Sequence, residues 1–214
     1  MKRRTLDVIV SVGGLLLAGL LLIGGLVLTS NATFANDYVA QQLAEQKISF
    51  KTAATLTDEE KTKPCLVQYA GQPLTTGKQA ECYANNFIGL HLEGIAGGKT
   101  YAELGDVQTQ LRAQIADAQK TNAANLADLQ KQLTDATANR ETVFKGETLR
   151  GLLLTSYGFS EFGTKAAQFA TVAYTGAGVL LVLSLFGFLH GVVTPKTKAF
   201  AAPEPIKEKV PVGV

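Results

Sequence analysis

Two long uncharged apolar runs bracket a mostly polar middle, and that pattern sets the first expectations for the chain. Residues 8–30, VIVSVGGLLLAGLLLIGGLVLTS, carry no charge; as a helix at ~1.5 Å per residue they extend ~34 Å, which matches a hydrocarbon layer of roughly 30 Å. The second run, residues 166–194, is interrupted only by the titratable His190 and is most apolar over 179–189. Each predicts a transmembrane helix. Between them, Tyr38, Val39 and Leu43 keep a helical spacing, so the first helix is expected to continue outward with one wet face. Residues 47–77 lose that periodicity: 48–50 read as a short strand, Thr57 as a helix start or turn, and Pro64, Gly71, Pro73 and Gly77 as breakers.

From Lys78 to Ala96 the stripe Tyr83, Phe87, Leu90 (or His91) and Ile95 predicts a helix, and Gly97 and Gly98 end it. Thr100 and Glu103 then have capping-box spacing. Residues 104–143 give the longest polar helix, with one seam through Leu104, Val107, Leu111, Ile115 and Ala118. A second seam, out of phase, runs through Leu126, Leu129, Leu133, Ala136 and Val143. The slip at residues 121–125 fits a stutter in a coiled coil or a turn between antiparallel helices. One long or gently broken helix is the favoured reading, because those five residues hold no strong stop. A rod of ~40 residues would reach ~60 Å and expose its seam, which calls for a partner or a second copy. Gly146 offers a break. After it, the leucines and aromatics of 147–163 fit either an interfacial segment or the core of the central domain.

Charge distribution orients this layout. Lys2, Arg3 and Arg4 precede the first run, and Lys196, Lys198, Lys207 and Lys209 follow the second, whereas the region between holds 13 basic and 15 acidic residues. Short basic flanks stay in the cytoplasm, so both termini are expected inside and residues 31–165 outside. A cleavable signal peptide is the rival reading of the first run, with 33–35 as a cleavage triplet; an h-region of about 7 to 15 residues is much shorter than this run. The expected organisation is a basic head (1–7), a span (8–30), an extracytoplasmic helical domain (31–165), a span (166–194) and a disordered cytoplasmic tail (195–214). The fold class is therefore an all-α membrane protein, two transmembrane helices flanking an extracytoplasmic helical domain with a long helix. Acids and bases alternate, leaving no nucleic-acid footprint.

Candidate chemistry is sparse. Cys65 and Cys82 are the two cysteines, and outside the cytoplasm they are expected to form a disulfide, worth roughly 3 kcal/mol in a chain-entropy picture. The spacing is not that of a C-x-x-C redox site. His91 and His190 are assigned to opposite sides of the membrane, so one chain cannot bring them to a common metal, and no cofactor is expected. The GGKT at 97–100 follows a helix rather than a strand and lacks P-loop spacing. Glu147 and Arg150 suit a surface pair. What the composition favours is close packing within the membrane. Gly14, Ala18 and Gly25 line a small face on the first run, as do Ala173, Ala177 and Ser184 on the second, and such faces let helices approach in lipid.

At KQAECYANNFIGLHLEGIAGGKTYAEL and ETLRGLLLTSYGFSEFG the chain resembles a family of uncharacterised actinobacterial two-span membrane proteins. The resemblance covers the outer helices and both spans and implies the same architecture. Members are sometimes labelled aromatic-ring-opening dioxygenases. Two separated histidines cannot form a two-His, one-carboxylate iron site, so that activity is not carried over. The expected function is a non-enzymatic accessory or scaffold protein of the cell envelope, with a sensor or ligand-binding module as the alternative and a metal-dependent enzyme third. The expected partners are the membrane and either another protein or a second copy.

Overall fold

The computed structural model describes residues 3–195; Met1, Lys2 and the residues from 196 onward, including nearly all of the tail expected to be disordered, lie outside it. The protein is mostly helical, 83%, and contains no strand among the described residues. Its elements in order are α1 (Arg3–Glu45), α2 (Asp58–Lys61), α3 (Pro64–Gln68), α4 (Gly77–Cys82), a π-helical turn (Tyr83–Ile88), α5 (Gly89–Glu93), a 3₁₀ turn (Ala96–Gly98), α6 (Tyr101–Thr121) and α7 (Leu126–Val193). Two compact units are built from these, one from residues 3–31 with 166–195 and one from Ala32–Lys165.

The first unit is a pair of helices long and apolar enough to cross a membrane. Contacts run from Asp7 to His190, from Ser11 to Gly187, from Gly14 to Ser184 and from Gly25 to Tyr174, so the two helices are antiparallel. The buried positions are small and recur every seven residues: Ser11, Ala18 and Gly25 on α1, and Ala170, Ala177, Ser184 and Gly191 on α7. A seven-residue repeat keeps one face of each helix on its partner with slight left-handed supercoiling. The large apolar residues point the other way. Leu16, Leu20, Ile23, Leu26, Val182, Phe186 and Leu189 are all exposed, an arrangement unlike that of a soluble core helix.

In the second unit, a core of Val39, Leu43, Phe50, Leu66, Leu74, Ile88, Leu92, Leu104, Val143 and Leu153 gathers α1, the short helices and α7. Local signals explain the short helices. Thr57 and Thr76 each form a capping box, with Glu60 and Gln79 returning to the cap backbone. Pro64, read from sequence as a breaker, instead opens α3 at a position where its missing N–H costs nothing. Residues 48–50, expected as a strand, make only an isolated antiparallel bridge, Ser49 to Pro73, flanked by Leu74 N–H to Ile48 O and Phe50 N–H to Gln72 O.

The single long helix expected over 104–143 is not formed. α6 stops at Thr121, Asn122 adopts a left-handed conformation (φ 51°, ψ 42°), and α7 starts at Leu126. Asparagine tolerates that conformation because its side chain is short and polar, so this patch stops a helix without glycine or proline. The hairpin pairs the two seams with each other: Leu111, Ala118, Leu129 and Ala136 are buried together, with Val107, Ile115, Leu126 and Leu133 packed against them. No seam is left over, and the coiled-coil partner it would have required is supplied by the chain itself. Gly146 is not a break either. α7 runs through it, and its absent side chain admits Leu92, whose Cδ2 lies 2.6 Å from where a Cβ would stand. Residues 147–163 accordingly form part of α7.

Candidate functional site

The helix-packing positions occupy the seam of the first unit. Ala18 and Ala177 are fully buried, and Ser184 is nearly so. Gly14 faces Ser184, and the mirrored pair is Gly187 against Ser11, so each serine fills the notch left by a glycine on the other helix. Gly25 meets the Tyr174 ring, whose carbons would lie 2.6 to 3.0 Å from a Cβ there. The Tyr174 hydroxyl is 3.1 Å from Thr29 Oγ1, which itself donates to Gly25 O at 2.9 Å. Ala173 is half-buried beside this seam. His190 Nδ1 lies 3.0 Å from Asp7 Oδ2. The sequence reading passed over Ala170 and Tyr174, although the seven-residue spacing of small residues on α7 was there to be followed.

In the second unit, Cys65 of α3 and Cys82 of α4 form a disulfide with Cα atoms 6.0 Å apart, within the ordinary range for such a bridge. Asn86 Nδ2 donates to Cys65 Sγ at 3.3 Å. The bridge fastens the irregular segment to the π-helical turn. That turn in turn aligns an aromatic ladder: Tyr83 and Phe87 have ring centroids 4.6 Å apart, Phe87 and His91 4.5 Å, and Phe50 stands edge-on to Tyr83.

A charged cluster that sequence reasoning missed sits at the end of this ladder. Glu60 is fully buried. Its carboxylate accepts from Lys51 Nζ at 2.7 Å and from the Thr57 amide at 2.8 Å, and lies 3.4 Å from His91 Nε2. Burial alone would raise the pKa of this carboxyl, but the Lys51 and Thr57 hydrogen bonds with the charges of Lys51 and His91 outweigh it and hold the group below its ordinary value. Burial and the nearby Glu60 charge push the Tyr83 hydroxyl up. Glu60 is thus kept as an anion with its acceptors in use, an arrangement that ties residues 51, 57 and 91 together rather than one poised to shuttle protons. The spacing of these residues along the chain carried no hint of it beyond the T-x-x-E at Thr57.

A cavity of about 450 Å³ opens in the same unit between the π-helical turn, α5, the start of α6 and α7. Lys99 and Arg150 line it together with Glu93 and Glu147, so its wall carries both signs. Arg150 donates to Glu147 at 3.3 Å and to Asn85 Oδ1 at 3.3 Å, and its Nε is buried without a hydrogen-bond partner. Gly97 and Gly98, with Ala96, take left-handed conformations that turn the chain into α6, whose Thr100–Glu103 capping box is formed. The glycines of the GGKT stretch therefore serve the turn. A shallower groove of about 330 Å³ lies along Tyr38, Leu43, Ile48, Leu149 and Leu152. No group of three or more histidine, cysteine, aspartate or glutamate side chains converges as a metal site among the described residues. Compared with protein-family models, curated proteins and solved structures, the chain matches none.

Proposed function

We propose that this is a two-span membrane protein of the cell envelope, with both termini in the cytoplasm and residues 31–165 outside, that works as a non-enzymatic accessory or scaffold protein. One observation carries the reading: α1 and α7 bury only a narrow small-residue seam against each other and turn their large apolar side chains outward, which is favourable in lipid and not in water. The disulfide agrees with an oxidising compartment for the second unit. Because the α6–α7 seams satisfy each other, the partner surface is assigned to the groove at Gln42, Ile48, Leu149 and Leu152 and not to an open coiled-coil seam.

Two measurements test this. Lys120→Cys, at the exposed tip of α6, introduces a single free thiol because both native cysteines are paired. A membrane-impermeant maleimide should label it in intact cells; labelling only after lysis refutes the topology. Crosslinking in native membranes followed by mass spectrometry should join lysines of the second unit to one recurrent protein. A chain that crosslinks reproducibly to nothing refutes the scaffold role. The second reading, a ligand-binding module, draws on the mixed-charge cavity beside Arg150. A zwitterionic compound that raises the melting temperature of the native protein, but not of Arg150→Ala, would favour it.

A further inference from the structure

Four aromatic residues of the second unit stand on α1 and α7 close to the ends of the apolar runs. Phe34 and Tyr38 stack with centroids 5.9 Å apart, and Phe159 meets both edge-on, at 6.4 Å and 6.0 Å. These rings nonetheless remain exposed: Phe34 at 61%, Tyr38 at 49% and Phe159 at 38%, while Phe162, one turn along α7, reaches 75%. Polar groups accompany them, since Ser160 Oγ donates to Asn36 Oδ1 at 3.2 Å beside the cluster. Rings mixed with hydroxyl and amide groups suit the boundary between lipid and water better than either hydrocarbon or bulk water.

Spacing along the helices agrees with that boundary. Phe34 lies four residues after Ser30 and Phe162 four before Ala166, which is one helical turn, or ~6 Å, in each helix. The headgroup layer adds roughly 5 to 7 Å to each side of the hydrocarbon. Side chains on a helix lean toward its N-terminus, so on α1 the ring of Phe34 leans back toward the apolar run, while on α7 that of Phe162 leans away from it and depends on its one-turn separation alone.

We propose that Phe34 and Phe162 form an aromatic anchor that inserts into the headgroup layer of the outer leaflet, with Tyr38 and Phe159 packed on Phe34 as its support, so that lipid contact extends past both apolar runs. This rests on the two-span reading above and adds to it a lipid-binding surface on the second unit. The occupant is the phospholipid surface itself, because Phe34 and Phe162 each lie a single helical turn of sequence from an apolar run.

The chain contains no tryptophan, so each introduced indole is a sole reporter. Phe34→Trp, Phe162→Trp and Leu16→Trp are placed in the full-length protein and reconstituted into phosphatidylcholine–phosphatidylglycerol vesicles. The lipids carry a nitroxide either at the headgroup or at mid-chain. All three side chains are exposed, so the larger indole displaces no core group. Phe34→Trp and Phe162→Trp should emit to the blue of free tryptophan and be quenched more by the headgroup label than by the mid-chain label, with Leu16→Trp showing the reverse order. Red-shifted, unquenched emission at positions 34 and 162 beside a quenched Leu16→Trp overturns the anchor alone. Blue-shifted emission that neither label quenches also overturns it, by assigning the rings to a protein partner or a second copy. An unquenched Leu16→Trp overturns the two-span reading itself.

Discussion

Replacing Lys51 by methionine isolates the electrostatics of the buried Glu60. The substitution keeps most of the aliphatic stem and removes the ammonium that lies 2.7 Å from Glu60 Oε1. Removing one partner of a fully buried pair typically costs 3 to 5 kcal/mol, roughly, because the remaining charge is stranded. Here Lys51 retains 35% of its side-chain exposure, and Glu60 keeps its Thr57 amide and His91. The expected loss is therefore smaller, about 1 to 3 kcal/mol, or a melting temperature roughly 3 to 10 °C lower. Glu60→Gln should cost less, near 1 kcal/mol, since the released Lys51 can turn to water.

Acidification adds a signed test of the same residue. A carboxyl held below its ordinary value stabilises the fold fully above the unfolded-state pKa near 4.5 and loses that contribution as pH falls through its folded value. The gap between wild type and Lys51→Met should accordingly be widest at neutral pH and narrow in acid, where neither protein carries a Glu60 charge to be left unpaired. Thermal unfolding of the detergent-solubilised proteins, followed by near-ultraviolet circular dichroism between pH 7 and pH 3, reads both effects. A variant as stable as wild type at pH 7, or a gap that stays constant with pH, refutes this account of Glu60.

Three further outcomes follow from the packing. Replacing Cys65 and Cys82 together by alanine opens a loop with a sequence separation of 17; the expected cost is about 3 kcal/mol, seen as a lower urea midpoint that reductant no longer shifts. Asn122→Val places a β-branched side chain at φ 51° and should lose roughly 1 to 2 kcal/mol, whereas Asn122→Gly should change the melting temperature little. In membranes, a Ser11→Cys, Gly187→Cys pair should oxidise readily, and adding Gly25→Leu, which drives a branched chain against the Tyr174 ring, should abolish that crosslink. Persistent crosslinking with Gly25→Leu would show that the helices do not close at the Gly25–Tyr174 contact.

The parts of the fold legible in the sequence are those written in local chemistry. The uncharged run at 8–30 and the one following Ala166 mark the two apolar helices, Thr100 with Glu103 marks the start of α6, and Cys65 with Cys82 marks the disulfide. Where the outcome depended on a distant contact, local signals misled. Gly146 resembled a helix break, but it is the place where Leu92 passes close to α7. The phase slip at 121–125 was compatible with two structures, and a single residue, Asn122, decides for the hairpin by entering the left-handed region. The Glu60 cluster was out of reach for a related reason: Lys51 and His91 are brought together through the aromatic ladder and the π-helical turn, and neither has a periodic signature.

The pairing of Gly14 with Ser184 has a consequence for the order in which the molecule can be assembled. About 170 residues separate the two, and at roughly 5 to 20 residues per second their synthesis takes about 8 to 34 seconds. Helical hairpins form within microseconds to milliseconds, so the α6–α7 turn at Asn122 can close while the C-terminal helix is still being made. On the two-span reading proposed above, the first span would wait in the bilayer during that interval with its small-residue face turned to lipid. Pairing of the two spans would then follow closure of the α6–α7 hairpin, and until it occurred the nascent chain would offer this groove to any other membrane helix.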